Sequence, residues 1–143
     1  MTRYDPEIDL AEVQDAAEIR AALRSFLRVT EAIVRRHGLT PQRYLLLLMV
    51  KGARDGSERS TVSELCERLE LAQSTVTELV QRAEDAGLIR RDASERDGRV
   101  AHLLLTDAGE ARFKAAFVEV REERERLLTL LGHVHEGLRA ARS

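Results

Sequence analysis

Apolar residues recur at helical spacing at both ends of this chain, and the period changes between them, near residue 88, before it returns to helical after residue 105. Residues 9–36 contain neither proline nor glycine, and Ile19, Ala22, Phe26, Val29 and Ile33 follow one another at steps of 3, 4, 3 and 4. That spacing places them along one face of a long helix. His37-Gly38 ends it, with Gly38 suited to the left-handed cap position. Thr40 as N-cap and Pro41 as first helical residue, where a missing N–H costs nothing, open a second helix. Its residues 44–50 are apolar on every side, which predicts burial.

Residues 54–60 read as a polar loop. Thr61 and Glu64 are spaced as a capping box for a third helix ending at Leu69, with Val62, Leu65, Cys66 and Leu69 on its inner face. After the link Glu70-Leu71-Ala72, a fourth helix is expected over about residues 73–86, closed by Gly87, with Val76, Leu79, Val80 and Ala83 pointing inward. Two short helices joined so tightly make a helix-turn-helix. Residues 88–91 and 100–105 then read as two strands around the polar residues 92–99, a hairpin. Thr106 caps a last helical region whose stripe is Phe113, Phe117, Val120, Arg124, Leu127, Leu131, Val134 and Leu138, with Gly132 expected to kink or split it. The predicted class is mainly α with a small β-hairpin.

The terminal helices carry more apolar surface than the short centre can cover. They are expected to pack together and against a second copy of the chain, through Ile19, Phe26, Ile33, Phe117, Leu127 and Leu131. Residues 1–37 and 106–143 would then form a helical dimerisation region around a central domain of residues 38–105.

Composition narrows the function. The 143 residues are 43% hydrophobic and 34% charged, a balance that supports one folded domain with a charged surface. Aromatic residues are only 3%, so the core must be aliphatic. The first twenty or so residues are acidic and lack the basic start and apolar stretch of a secretory signal. The apolar run 44–50 is far short of the roughly 20 residues needed to cross a bilayer. A cytoplasmic protein without a membrane span is expected. Cys66, the only cysteine, has no internal disulfide partner, and its inward position predicts inert packing. His133 and His135 project in nearly opposite directions on a helix, so no metal site or other cofactor is expected. No phosphate-cradling glycine loop, nucleophile motif or carboxylate pair points to an enzyme.

The formal net charge is −2, so bulk electrostatics does not draw the chain to nucleic acid. Any such role rests on local placement. All but two of the 23 basic residues are arginine, the side chain suited to phosphate and guanine, although GC-rich coding yields the same bias.

Taken in order, Leu39-Thr-Pro-Gln-Arg-Tyr-Leu-Leu-Leu-Leu, Ser63-Glu-Leu-Cys-Glu-Arg-Leu, Ser74-Thr-Val-Thr-Glu-Leu-Val-Gln-Arg, Ala86-Gly-Leu-Ile-Arg-Arg, Asp97-Gly-Arg and Leu105-Thr-Asp-Ala-Gly resemble the MarR family of bacterial regulators, over about residues 9–131. The resemblance implies a winged helix-turn-helix flanked by dimerisation helices. It also implies a sequence-specific transcription regulator, in most members a repressor, that binds a pseudo-palindromic operator in double-stranded DNA as a homodimer. Many members release DNA when a small aromatic or phenolic effector binds. In this chain Phe26, Tyr44 and Phe117 are the candidates for such a pocket, each also readable as plain core.

The outward face of the fourth helix supplies the candidate DNA contacts. Gln73 is suited to adenine, and Ser74, Thr75 and Thr77 to bases or phosphates. Arg82 is suited to a phosphate or to a structural ion pair. Ala72 stands where the family usually has a Ser or Thr cap, and Glu78 where many members have a basic or neutral residue. Glu78 either accepts from a cytosine or tilts away from DNA. By resemblance, Arg99 enters the minor groove from the wing with Arg96 beside it, Asp97 braces the wing, and Gly98 replaces a frequent arginine. Between residues 73 and 99, however, Arg82, Arg90, Arg91, Arg96 and Arg99 are outnumbered by Glu78, Glu84, Asp85, Asp92, Glu95 and Asp97. That imbalance keeps open an alternative, a winged-helix protein-interaction module without DNA binding.

Overall fold

The computed structural model describes residues 7–93 and 100–142. The elements run α1 (Leu10–Arg36), α2 (Pro41–Lys51), α3 (Val62–Leu69), α4 (Gln73–Asp85), β1 (Ile89–Ala93), β2 (Ala101–Leu105), α5 (Asp107–Glu119) and α6 (Arg121–Arg142). This is the mainly helical class with one antiparallel hairpin that the periodicity predicts. The caps form as their spacing requires. The Thr40 hydroxyl accepts from the Arg43 N–H at 3.1 Å, and that of Thr61 from the Glu64 N–H at 3.2 Å.

Residues 33–119 form one compact unit. Its centre is built from Leu46, Leu47 and Val50 of α2, Leu65 of α3, Val76 and Val80 of α4, and Leu103 of β2, all without solvent exposure. Burying an aliphatic side chain of this size contributes about 1.5–3 kcal/mol, so this cluster is the main stabilising element of the unit. Tyr44, Phe113 and Phe117 extend it as an aromatic stack, with ring centroids 5.7 Å and 5.3 Å apart. Polar ties cross the same core. Arg68 Nη1 donates to the carbonyls of Met49 at 3.2 Å and Gly52 at 2.9 Å, satisfying the open end of α2 from α3. Lys51 Nζ reaches Glu110 at 2.9 Å and Glu58 at 3.0 Å, and these two carboxylates hold its pKa above the usual lysine value.

One junction sets how α4, the hairpin and α5 meet. Gly87, at φ +74°, ends α4 in the left-handed conformation that glycine adopts freely. The Thr106 hydroxyl donates to the Gly87 carbonyl at 2.6 Å and accepts from the Gly109 N–H at 3.0 Å, while the Thr106 N–H donates to the Leu88 carbonyl at 3.0 Å. Gly109 lies directly against that Leu88 carbonyl oxygen, and a Cβ there would collide with it. The run Thr106-Asp-Ala-Gly is therefore a docking device for the start of α5 against the end of α4.

Residues 7–32 and 120–142 form the other unit, which holds most of α1 and all of α6. Ala22, Phe26 and Val29 of α1 face Leu127 and Leu130 of α6 across a shallow groove. Leu10, Val13, Leu23, Leu27 and Leu128 of this unit are exposed, Leu27 at 56% and Leu128 at 67%.

Four sequence expectations change. The C-terminal helical region breaks at Val120 and not at Gly132, which stays inside α6 with open space around it. Val120 is itself a stripe residue, only 1% exposed, so the break leaves the apolar period unmarked. The hairpin arms are β1 and β2 as given, which takes Asp92 and Ala93 from the polar segment into a strand and leaves Leu88 and Val100 outside. In α2, Leu45 is 40% exposed, so the helix is buried on most but not all sides. Ser60 is buried, and its N–H and carbonyl pair with Leu103 at 3.2 Å and 2.8 Å, so the loop before α3 ends as a third, one-residue rung beside β2.

Gly109→Ala is expected to lower stability by about 1–3 kcal/mol, because a backbone carbonyl must move to admit the methyl group. Gly132→Ala, on an open helix surface, is expected to raise it by about 0.5–1 kcal/mol. Denaturant unfolding of both variants measures the contrast, and equal effects would contradict the docking role of Gly109.

Glu119 at the end of α5 lies 2.5 Å from His37 Nε2 and accepts from Arg36 Nη2 at 2.8 Å. The His37 contact, and after it the Arg36 charge, hold its carboxyl below the usual glutamate pKa. A depressed folded-state pKa gives stability that is present above the unfolded value and lost as pH falls through the folded one. Glu119→Gln is thus expected to be less stable than the wild type at pH 7 and to converge with it in acid. A stability gap that persists unchanged at pH 3 would place the effect elsewhere.

Candidate nucleic-acid interface

The face that α4 turns to solvent follows from what it buries. Val76, Val80 and Ala83 are fully buried and Leu79 half-buried, which leaves Gln73, Ser74, Thr75, Thr77, Glu78, Gln81 and Arg82 exposed. All the candidate contacts expected on this helix are thus accessible to solvent. Its first turn is polar and uncharged. Ala72, in extended conformation, makes no side-chain cap, so the leading N–H groups of α4 have no side-chain acceptor from their own N-cap.

Three of the acids on α4, Glu78, Glu84 and Asp85, have side-chain partners. Arg82 Nη2 donates to Glu78 Oε1 at 2.6 Å across one helical turn. Arg91 Nε donates to Glu84 Oε1 at 2.7 Å, and Gln81 Nε2 to Asp85 Oδ1 at 3.0 Å. The i,i+4 spacing of Glu78 and Arg82 was readable in the sequence as an ion pair. The Arg91–Glu84 pair was not, since it requires β1 to fold back beside α4. Strand register explains that pair. Arg91 opposes Leu103 on the inward face of the hairpin, whereas Arg90 and Asp92 alternate to the other face, with His102 directly opposite Asp92. Arg90 and His102 are outer-face residues of the hairpin that the sequence reading did not single out, and the period-2 alternation was the available signal. Arg96, Asp97 and Arg99 lie outside the described residues.

The other candidates separate. Tyr44 and Phe117 both touch Phe113 in the aromatic stack, whereas Phe26 lines the α1–α6 groove. Of the residues expected at a subunit interface, Ile33 is only 7% exposed and offers little surface, while Ile19, Phe26, Phe117, Leu127 and Leu131 are half-buried. The exposed large apolar side chains of α1 and α6 are instead Leu10, Val13, Leu23, Leu27 and Leu128. Cys66 is half-exposed at the margin of the core, not fully buried. Among the described residues no three His, Cys, Asp or Glu side chains gather as a metal ion requires, and no helix is long and apolar enough to cross a membrane.

Comparison with known proteins fits this architecture. Residues 37–100, from just after α1 to just before β2, match the family model described as the MarR family. The chain is 34% identical over 96 residues to the HTH-type transcriptional repressor MdtR of Bacillus subtilis, a match covering 67% of this chain and 59% of that protein. Among solved structures, a mutant MarR from E. coli complexed with operator DNA has a TM-score of 0.67 at 18% identity, covering 92% of this chain and 99% of that one. NadR in complex with 4-hydroxyphenylacetate has a TM-score of 0.68 at 20% identity, covering 99% and 92% respectively. At those identities the structural likeness is one of fold. With the helix-turn-helix, the hairpin and the docking of α5 all in place, the sequence and family matches establish that this chain belongs to the MarR family of winged helix-turn-helix transcriptional regulators.

Proposed function

We propose that the protein is a sequence-specific DNA-binding regulator that acts as a homodimer, with α4 of each subunit in the major groove and the hairpin directed to the adjacent minor groove. The observation that carries this reading is the exposed row Gln73, Ser74, Thr75 and Thr77, set at the start of α4 while the nearby acids are held by partners. Gln73 reads adenine, and Ser74, Thr75 and Thr77 bond bases or phosphates. The leading N–H groups of α4, which lack a side-chain cap, suit a phosphate oxygen. Arg96 and Arg99 reach the minor groove, and Asp97 orients the wing. The partners of Glu78 and Glu84 support this reading over the alternative, a protein-interaction module.

Repression is the favoured mode, because MdtR carries that designation. A two-fold dimer implies a pseudo-palindromic operator, which places the protein's work in the cytoplasm beside the chromosome. The exposed leucines of α1 and α6 suit a second subunit. Release by a small aromatic or phenolic acid is the natural effector mechanism, given the ligand of NadR. The Tyr44–Phe113–Phe117 stack is the favoured aromatic wall, and Phe26 on the α1 groove is the remaining candidate.

Operator affinity at several salt concentrations, with mass from light scattering, tests this reading. Wild type is expected to be dimeric and to bind the DNA upstream of its own gene. Arg99→Ala is expected to weaken binding by roughly 1–3 kcal/mol and to lower the salt slope by about one, with the dimer intact. Gln73→Ala should instead relax preference at one base position with little change in that slope. A folded, dimeric Arg99→Ala protein that binds like wild type would remove the wing from the mechanism, and a monomeric wild type would remove the dimer.

A further inference from the structure

An acidic side chain on a helix facing DNA needs a physical account, because the duplex carries one phosphate charge per roughly 1.7 Å of its length. Glu78 is 62% exposed and Arg82 61%, and Glu78 lies one helical turn after the exposed Ser74 on the same side of α4. The Arg82 guanidinium is 2.6 Å from Glu78 Oε1, a short charge-assisted hydrogen bond. This contact has two consequences. It cancels the carboxylate's charge locally, so that Glu78 approaches a phosphate-lined groove at little electrostatic cost. It also fixes the carboxylate on one oxygen, leaving Oε2 to accept from a further donor.

In the major groove the exocyclic amino group of cytosine is a hydrogen-bond donor that a carboxylate matches, whereas guanine O6 and N7 and thymine O4 only accept. Adenine also donates through N6, but its adjacent N7 acceptor faces a carboxylate unfavourably. Glu78 stands one helical turn beyond Ser74, within the half of a recognition helix that meets base edges. Arg82 follows one turn later, and a guanidinium with five donors that spends one on Glu78 keeps others for a phosphate.

We propose that Glu78 and Arg82 act as one unit in which Arg82 positions Glu78 to read a cytosine in each half-site. This inference rests on the DNA-binding reading given above. Arg82 is a positioning residue here, and Glu78 makes the base contact.

Selection of bound duplexes from a random pool, carried out with the full-length wild type, Glu78→Gln and Arg82→Ala, tests it. The wild type is expected to enrich cytosine at one position of each half-site, with about tenfold lower affinity for the other bases there. Glu78→Gln leaves buried packing untouched, and it should abolish that preference or shift it toward adenine, which a carboxamide matches. Arg82→Ala should loosen the same preference and also lower overall affinity. A cytosine preference that survives Glu78→Gln overturns the proposal. So does a uniform rise in affinity for all duplexes in Glu78→Gln, the mark of a carboxylate that merely repels. A wild type that retains no duplex overturns the DNA reading itself, and this inference with it.

Discussion

The way α4, the hairpin and α5 meet depends on the bonds of Thr106. Thr106 bonds the Gly87 carbonyl at the end of α4 and the Gly109 N–H at the start of α5, and its own N–H bonds the Leu88 carbonyl. These contacts bring the start of β1 and the end of β2 together, where Ile89 opposes Leu105. The hairpin therefore leaves the core from a defined base. Its direction relative to α4 is then reinforced from the side by the Arg91–Glu84 ion pair. Without the close approach that Gly109 permits, the hairpin base and the first turn of α5 would compete for the same space.

Charge is organised by pairing and not by excess. With a net charge of −2 the chain is no polycation, and its arginines act one contact at a time. Arg68 satisfies carbonyls at the end of α2, Arg82 and Arg91 hold the carboxylates of Glu78 and Glu84, and Arg36 holds Glu119. Exposed pairs of this kind contribute little stability individually. Their larger effect is to orient side chains and mask acids on a surface proposed to meet phosphates.

The start of α4 shows the opposite choice. Thr40 and Thr61 cap α2 and α3 with their side chains, but Ala72 leaves α4 uncapped by its own side chain. A missing cap costs about 0.5–2 kcal/mol, and nearby elements with ordinary caps show that the chain can encode them. Departures from local rules of this sort concentrate where a protein meets its ligand. On the proposed reading, a phosphate supplies the acceptor that Ala72 lacks.

The helical spacing of Ile19 to Ile33, the caps at Thr40 and Thr61 and the period change after Gly87 determined the elements. The same pattern determined which residues of α4 face out, because burying Val76, Val80 and Ala83 leaves no freedom for Gln73, Ser74 and Thr77. These are local properties, set within a few residues of chain. Tertiary structure decided what depends on distant partners. Ser60 looked like loop and became a buried rung, because Leu103 offers it two backbone bonds. Glu84 looked like a liability and became one half of an ion pair once β1 folded back. The stripes of α1 and α6 looked like an interface, yet several of their residues are half-buried within the chain and the exposed leucines are other residues of the same helices. Periodicity reports that a face is apolar, and only packing decides what covers it.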